Sequence, residues 1–241
     1  MIIGFYEEPV VHSKKAHGAK EGFMIALNLK AYEATSARLK ELCAATKEAA
    51  AEYRKTRFIL CAPSICLKDA LARYPDVYAQ GADPVAPGAQ TGKITPEMLK
   101  FAGAKGSLIN HSENRVQKEG IEFLVEKFRV LGLESMVCAR DKAESVELSK
   151  LEPDFVAIEP PELIGSGRSV TSVNPKVVSE AVEAIAAVSR SRVLCGAGIS
   201  IPKDVAAAKE LGAEGVLLAS AFVKSREPLK FLQEFASAAE Q

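Results

Sequence analysis

Glu159 is the residue around which chemistry can be built. It closes the apolar run FVAIE and is followed by Pro160 and Pro161, then by Glu-Leu-Ile-Gly-Ser-Gly. An apolar run ending in one carboxylate predicts a buried strand that delivers an acid to its C-terminal end. The prolines stiffen the exit, because each fixes its own φ and the first also restricts Glu159. Gly165 and Gly167 allow backbone amides to approach an anion closely. A desolvated carboxylate at such a mouth suits a general base. Four other apolar runs end in groups that could work with it. One delivers Asn28 and Lys30, a donor and a cation. Another delivers Asn110-His111-Ser112-Glu113, with an imidazole. The last two lead into Gly196-Ala197-Gly198 and Ala219-Ser220, small-residue turns that let the main chain come close to a ligand.

Singly, each signal has a bland reading. A strand-end glutamate is more often solvated or a helix cap, Gly-x-Gly is often a plain turn, and Lys30 could be a surface cation. Their common placement outweighs this, and the placement follows from the elements. The chain alternates short apolar runs with longer amphipathic ones: FMIALN, then a helix over Glu33–Tyr53; RFILCA, then a helix over Leu67–Arg73; DVYAQG, then one over Thr95–Ala102. GSLIN precedes a helix over Asn114–Leu131, SMVCA one over Asp141–Lys150, and DFVAIE one over Asn174–Val188. RVLCG and EGVLLA pair with Ile201–Leu211 and Pro228–Ala239. Continuous apolar runs suit parallel strands buried on both faces. Strict β-then-α order implies right-handed crossovers. Eight units predict an α/β fold, a single TIM (β/α)8 barrel, a fold of about 250 residues that carries its chemistry at the C-terminal strand ends. An open doubly wound sheet is the alternative.

Residues 1–22 fall outside the alternation and are expected to be an exposed extension, with residues 23–241 forming the catalytic barrel. His12 and His17, five apart without a carboxylate framework, do not read as a metal site. Residues 79–95, rich in Gly and Pro, form the longest apparent loop, of the kind used for function or subunit contact.

Composition narrows the function. Of the 241 residues 31 are basic and 31 acidic, so a general nucleic-acid or membrane surface is not expected and any anion site must be local. The five cysteines (Cys43, Cys61, Cys66, Cys138 and Cys195) form no C-x-x-C or zinc pattern, which points to reduced thiols and a cytoplasmic setting. No apolar stretch approaches the roughly 18 residues of a membrane span, and no signal peptide is evident.

Together, NLKAY, GAQTGKITPEML, NHSENRV, EPPELIGSG, LCGAGIS and GVLLAS resemble the triosephosphate isomerase family in its shorter archaeal form, from about Phe23 to the C-terminus. The missing tryptophan in loop six and CGAGIS in place of a tyrosine-containing loop seven suit that branch. The resemblance implies interconversion of dihydroxyacetone phosphate and glyceraldehyde 3-phosphate through an enediolate, a step of glycolysis and gluconeogenesis, with no cofactor and no metal. It implies Glu159 as base and His111 as electrophile. The imidazole would be neutral beside a helix starting at Ser112-Glu113-Asn114, a property for which these isomerases are the standard example. Lys30 and Asn28 are implied to stabilise the enediolate and bind substrate, with Glu113 and Ser112 in support. Ile164, Gly165, Gly198, Ala219 and Ser220 are implied to hold the phosphate, and residues 160–168 to close as a lid. The family forms dimers or tetramers, and Thr91 is the position that braces a partner's active site. From the residues alone, a phosphate-binding lyase or aldolase with Lys30 as Schiff base, and a non-catalytic phosphate-sensing barrel, stay open.

Overall fold

Where apolar residues run without interruption, the chain forms strands. A computed structural model describes residues 22–160, 163 and 169–241. Its strands are β1 (Phe23–Asn28), β2 (Thr56–Ala62), β3 (Val77–Ala79), β4 (Gly106–Ile109), β5 (Glu134–Ala139), β6 (Phe155–Ile158), β7 (Arg192–Cys195) and β8 (Gly215–Leu218). They pair in sequence order, all parallel, and β1 pairs with β8 to close the barrel, with Met24 opposite Gly215 and Leu27 opposite Leu218. The expected closed barrel is the observed fold. The expectations on His12, His17, Ile164, Gly165 and the lid, and on nearly all of the N-terminal extension, lie outside the described residues.

The helices are α1 (Glu33–Glu52), α2 (Leu67–Leu71), α3 (Pro96–Ala102), α4 (Lys118–Leu131), α5 (Lys142–Ser149), α6 (Val170–Val173), α7 (Pro175–Ala186), α8 (Pro202–Glu210), α9 (Ser220–Val223) and α10 (Pro228–Glu240). Their ends follow local chemistry. Thr95 Oγ1 caps α3 by accepting from Met98 N at 3.3 Å, and Asp141 caps α5 by accepting from Glu144 N at 2.8 Å. Proline opens α3, α7, α8 and α10, where its missing N–H has no intrahelical partner to lose. Gly132, at φ +66°, ends α4.

Several boundaries differ from the sequence expectation. Helix α4 begins at Lys118, not at Asn114. The side chain of Asn110 takes Val116 N at 3.1 Å and holds the intervening residues in a turn. Helix α2 stops at Leu71, two residues early, and the short helices α6 and α9 had no apolar period long enough to reveal them.

Alternation along the strands sorts the core into two clusters. Met24 and Ala26, Ile59 and Cys61, Tyr78, Leu108, Met136 and Cys138, Phe155 and Ala157, Leu194 and Leu217 pack together as the barrel interior. Their neighbours Ile25, Leu60, Val137, Val156, Val193 and Val216 join the cluster shared with the helices. The period of two then dictates what faces inward one step above the core. Continuing it places Asn28, Asn110, Glu159, Gly196 and Ala219 at one mouth. At the opposite end Arg57 holds Asp76 at 2.7 Å and Glu134 at 2.6 Å, and Tyr78 Oη donates to Glu134 Oε2 at 2.7 Å.

Candidate active site

A compact cavity of about 80 Å³ opens at the C-terminal mouth, lined among others by Asn28, Lys30, His111, Glu159, Gly198, Ala219 and Ser220. Five residues from the ends of β1, β4 and β6 (Asn28, Lys30, Tyr32, His111 and Glu159) thus meet the small-residue turns after β7 and β8.

Glu159 is 3% exposed. Its backbone N–H extends the β5–β6 ladder to Ala139 O at 2.7 Å, so a strand, not a loop, fixes its Cα. Oε1 lies 3.3 Å from His111 Nε2, and Oε2 has no hydrogen-bond partner among the described residues. A buried acceptor without a partner is costly. Burial and the neighbouring Glu159 charge push the Cys138 thiol well above its ordinary range, so the group beneath the carboxylate is a neutral thiol. Gly196 leaves room for this side chain: a Cβ there would fall 2.5 Å from Glu159 Cγ.

His111 is buried, and its tautomer follows from one hydrogen bond. Glu113 N donates to Nδ1 at 3.2 Å, which makes Nδ1 the acceptor and leaves the proton of the neutral ring on Nε2. A tight turn supplies that donor, in place of the expected helix N-terminus. Asn28 is oriented in the same way. Its Oδ1 accepts from Lys30 N at 3.0 Å, so Nδ2 faces His111 Nε2, 3.4 Å away. Two N–H donors therefore converge beside one carboxylate. An oxygen placed between them would receive both bonds.

Lys30 sits at φ +49°, a left-handed conformation that strains a residue with a Cβ. The Lys30 N–H bond to Asn28 is made in that conformation. Lys30 Nζ pairs with Glu113 Oε1 at 2.6 Å, and the Glu113 side chain is 57% exposed. Asn110 (φ +62°) bonds Cys138 O at 3.0 Å as well as Val116 N, and so ties the His111 turn to β5. Ser112 Oγ is buried with no partner among the described residues.

Gly198, at φ +72°, turns the chain after β7, and Asp204 Oδ2 receives Ser200 N at 2.9 Å to brace that turn. After β8, Ala219 leads into α9, whose first amides have no intrahelical acceptor; its Ser220 and Ala221 line the cavity. Thr91 stands exposed in loop three and is not brought to this cavity within the chain. Sequence reading gave Gly196 and Asn110 no role beyond their strand-end turns, and Tyr32 none beyond the NLKAY motif, though all lie near this mouth. Strand parity could have found the first two. Among the described residues no group of three or more His, Cys, Asp or Glu could hold a metal ion.

Fold and mouth define a class: a (β/α)8-barrel enzyme equipped for proton transfer. The family model described as triosephosphate isomerase matches residues 23–236. The triosephosphate isomerase of Cenarchaeum symbiosum is 44% identical over 216 residues, covering 89% of this chain and 97% of its own. That of Archaeoglobus fulgidus is 45% identical over 215 residues, covering 88% and 96%. That of Metallosphaera sedula is 41% identical over 218 residues, covering 90% and 95%. The chain belongs to the triosephosphate isomerase family and is an isomerase, an intramolecular oxidoreductase.

Proposed function

We propose that this chain interconverts dihydroxyacetone phosphate and D-glyceraldehyde 3-phosphate, with Glu159 as the base and His111 and Asn28 as the donors to the reacting oxygens. The observation that carries the assignment of roles is the buried Glu159 carboxylate beside two N–H groups whose orientations are set by backbone bonds. Glu159 takes a proton from the carbon next to the carbonyl. The C–H electron pair forms the carbon–carbon double bond of an enediolate, and the carbonyl oxygen gains charge. His111 Nε2–H and Asn28 Nδ2–H stabilise that charge, and Lys30 adds a fixed positive one. A proton passes from the hydroxyl oxygen of the deprotonated carbon to the former carbonyl oxygen, and Glu159 then returns its own proton to the neighbouring carbon, so that the first carbon becomes the new carbonyl. Glu113 holds the Lys30 ammonium, and its backbone N–H sets the His111 tautomer.

The amide-rich turns at Gly198, Ala219 and Ser220 take the phosphate. A Schiff-base lyase is disfavoured because the Lys30 amine is committed to an ion pair with Glu113. Five free, buried cysteines support a reducing, cytoplasmic setting. Among the described residues no helix is long and apolar enough to cross a membrane.

A homo-oligomer, dimer or tetramer, is part of this reading. Residues 86–93 of loop three, including Thr91, are all exposed. Ile65 and Phe101 are 91% and 92% exposed. A groove of about 710 Å³, lined by Pro63, Asp83, Asn114 and Gln117 among others, lies between loops two, three and four. Exposed apolar residues of this size suit contact with a second copy.

The test of the catalytic assignment is Glu159→Asp in a coupled assay with glyceraldehyde 3-phosphate. Withdrawing the carboxylate by one methylene should lower kcat by about 10²-fold while KM changes far less. An unaltered kcat removes Glu159 from the mechanism.

A further inference from the structure

The charges at the mouth are unbalanced for the proposed substrate. Lys30 is matched by Glu113, which leaves Glu159 as a net negative charge facing an incoming phosphate dianion. Amide turns carry no net charge, so a further cation near the phosphate end would lower the cost of entry.

Lys224 is that cation. Tyr32 lines the cavity, and Lys224 Nζ lies over the Tyr32 ring, 5.1 Å from its centroid. A second observation places it independently. Lys224 N bonds Ser220 O at 3.0 Å, so Lys224 follows Ser220 and Ala221 by one helical turn. Both of those residues line the cavity, and positions three and four apart share a helix face. Lys224 is exposed and has no acidic partner within 4.0 Å among the described residues. Its charge is therefore not cancelled by an ion pair of the kind that holds Lys30.

We propose that Tyr32 and Lys224 form a further substrate-binding unit at the phosphate end of the mouth. The ring walls the cavity and fixes the ammonium at the rim; the ammonium draws in and helps hold the phosphate dianion. The unit acts on binding and not on the proton transfer, since neither group approaches Glu159 or His111 as a hydrogen-bond partner. This rests on the reading of the substrate as a phosphate monoester.

The test is the coupled assay with the full chain at about 10 mM and about 200 mM ionic strength, where the Debye length falls from about 30 Å to under 10 Å. Lys224→Met should lower kcat/KM for glyceraldehyde 3-phosphate about fivefold at low ionic strength, through KM. The deficit should shrink at the higher ionic strength, and Lys224→Arg should restore the wild-type value. Tyr32→Leu, which releases the ammonium, should shift kcat/KM in the same direction. Turnover of D-glyceraldehyde, which lacks the phosphate, should not respond to Lys224→Met. Equal kcat/KM for wild type and Lys224→Met at low ionic strength overturns the inference, as does an equal loss with D-glyceraldehyde. Wild-type protein that fails to isomerise glyceraldehyde 3-phosphate overturns the functional reading instead, and this inference with it.

Discussion

Two side chains at the mouth owe their chemistry to a neighbour's backbone. Glu113 N selects the His111 tautomer, and Lys30 N selects which end of the Asn28 amide faces the cavity. Side-chain identity alone would leave both choices open. Gly196 acts at the same scale by absence. It reads in the sequence as an ordinary turn glycine, yet its missing Cβ is what admits Glu159 Cγ. Gly196→Ala should displace the carboxylate and cut kcat by about 10²-fold, with a smaller change in KM. Steady-state kinetics at fixed enzyme concentration checks this, and circular dichroism should show the barrel intact.

At the scale of elements, loops do the positioning that strands cannot. Asn110 converts the exit of β4 into a turn, and that turn supplies the donor that the sequence had assigned to a helix N-terminus. The difference was not legible because side-chain capture of a backbone amide six residues on depends on a φ of +62° at Asn110. Loop three is closed at its base by Asp83, through a backbone bond from its N–H to Ile94 O at 2.8 Å and through its carboxylate. Asp83 accepts from Ile94 N at 2.8 Å and from Lys93 Nζ at 2.9 Å. Desolvation raises its pKa, but the Ile94 amide and Lys93 outweigh that and hold it below the ordinary carboxylate value. A depressed folded-state pKa contributes stability that is present above the unfolded value and lost as pH falls through the folded one. The Ile94 amide should therefore be protected from hydrogen exchange at neutral pH and lose protection as pH falls below about 4. In Asp83→Ala that protection should be low at both pH values.

Over the whole molecule, the two ends of the barrel divide the work, as the fold predisposes. The C-terminal mouth leaves a carboxylate oxygen and a hydroxyl without partners among the described residues, while the other end satisfies a dense ionic cluster. Arg57 neutralises two carboxylates there, with side chains only 14–22% exposed. Arg57→Met should destabilise the protein by about 3 kcal/mol at pH 7, because it strands both acids. Burial raises the Asp76 pKa and Arg57 opposes that rise. Losing Arg57 raises it further, so the variant takes up a proton on folding and its stability falls as pH rises through the carboxylate range. Thermal unfolding should show a smaller deficit at pH 4 than at pH 7. Assembly belongs to the same scale. Phe101→Glu, on the exposed face of α3, should shift the oligomer to smaller species in sedimentation velocity, with the far-ultraviolet spectrum unchanged.

Periodicity and strand-end chemistry made the barrel, its eight units and the positions of Asn28, Lys30, His111 and Glu159 legible, because these depend on local pattern and on where a strand must stop. The motifs carried the family for the same reason, being short contiguous runs. What the linear chain could not decide was set by contacts between residues far apart. Asn28 meets His111 across 83 positions, Gly196 yields to Glu159 across a strand boundary, and Tyr32 meets Lys224 from opposite ends of the sequence. Closure of β1 on β8 brings these groups into one mouth, and only that closure fixes their distances and the balance of charge between them.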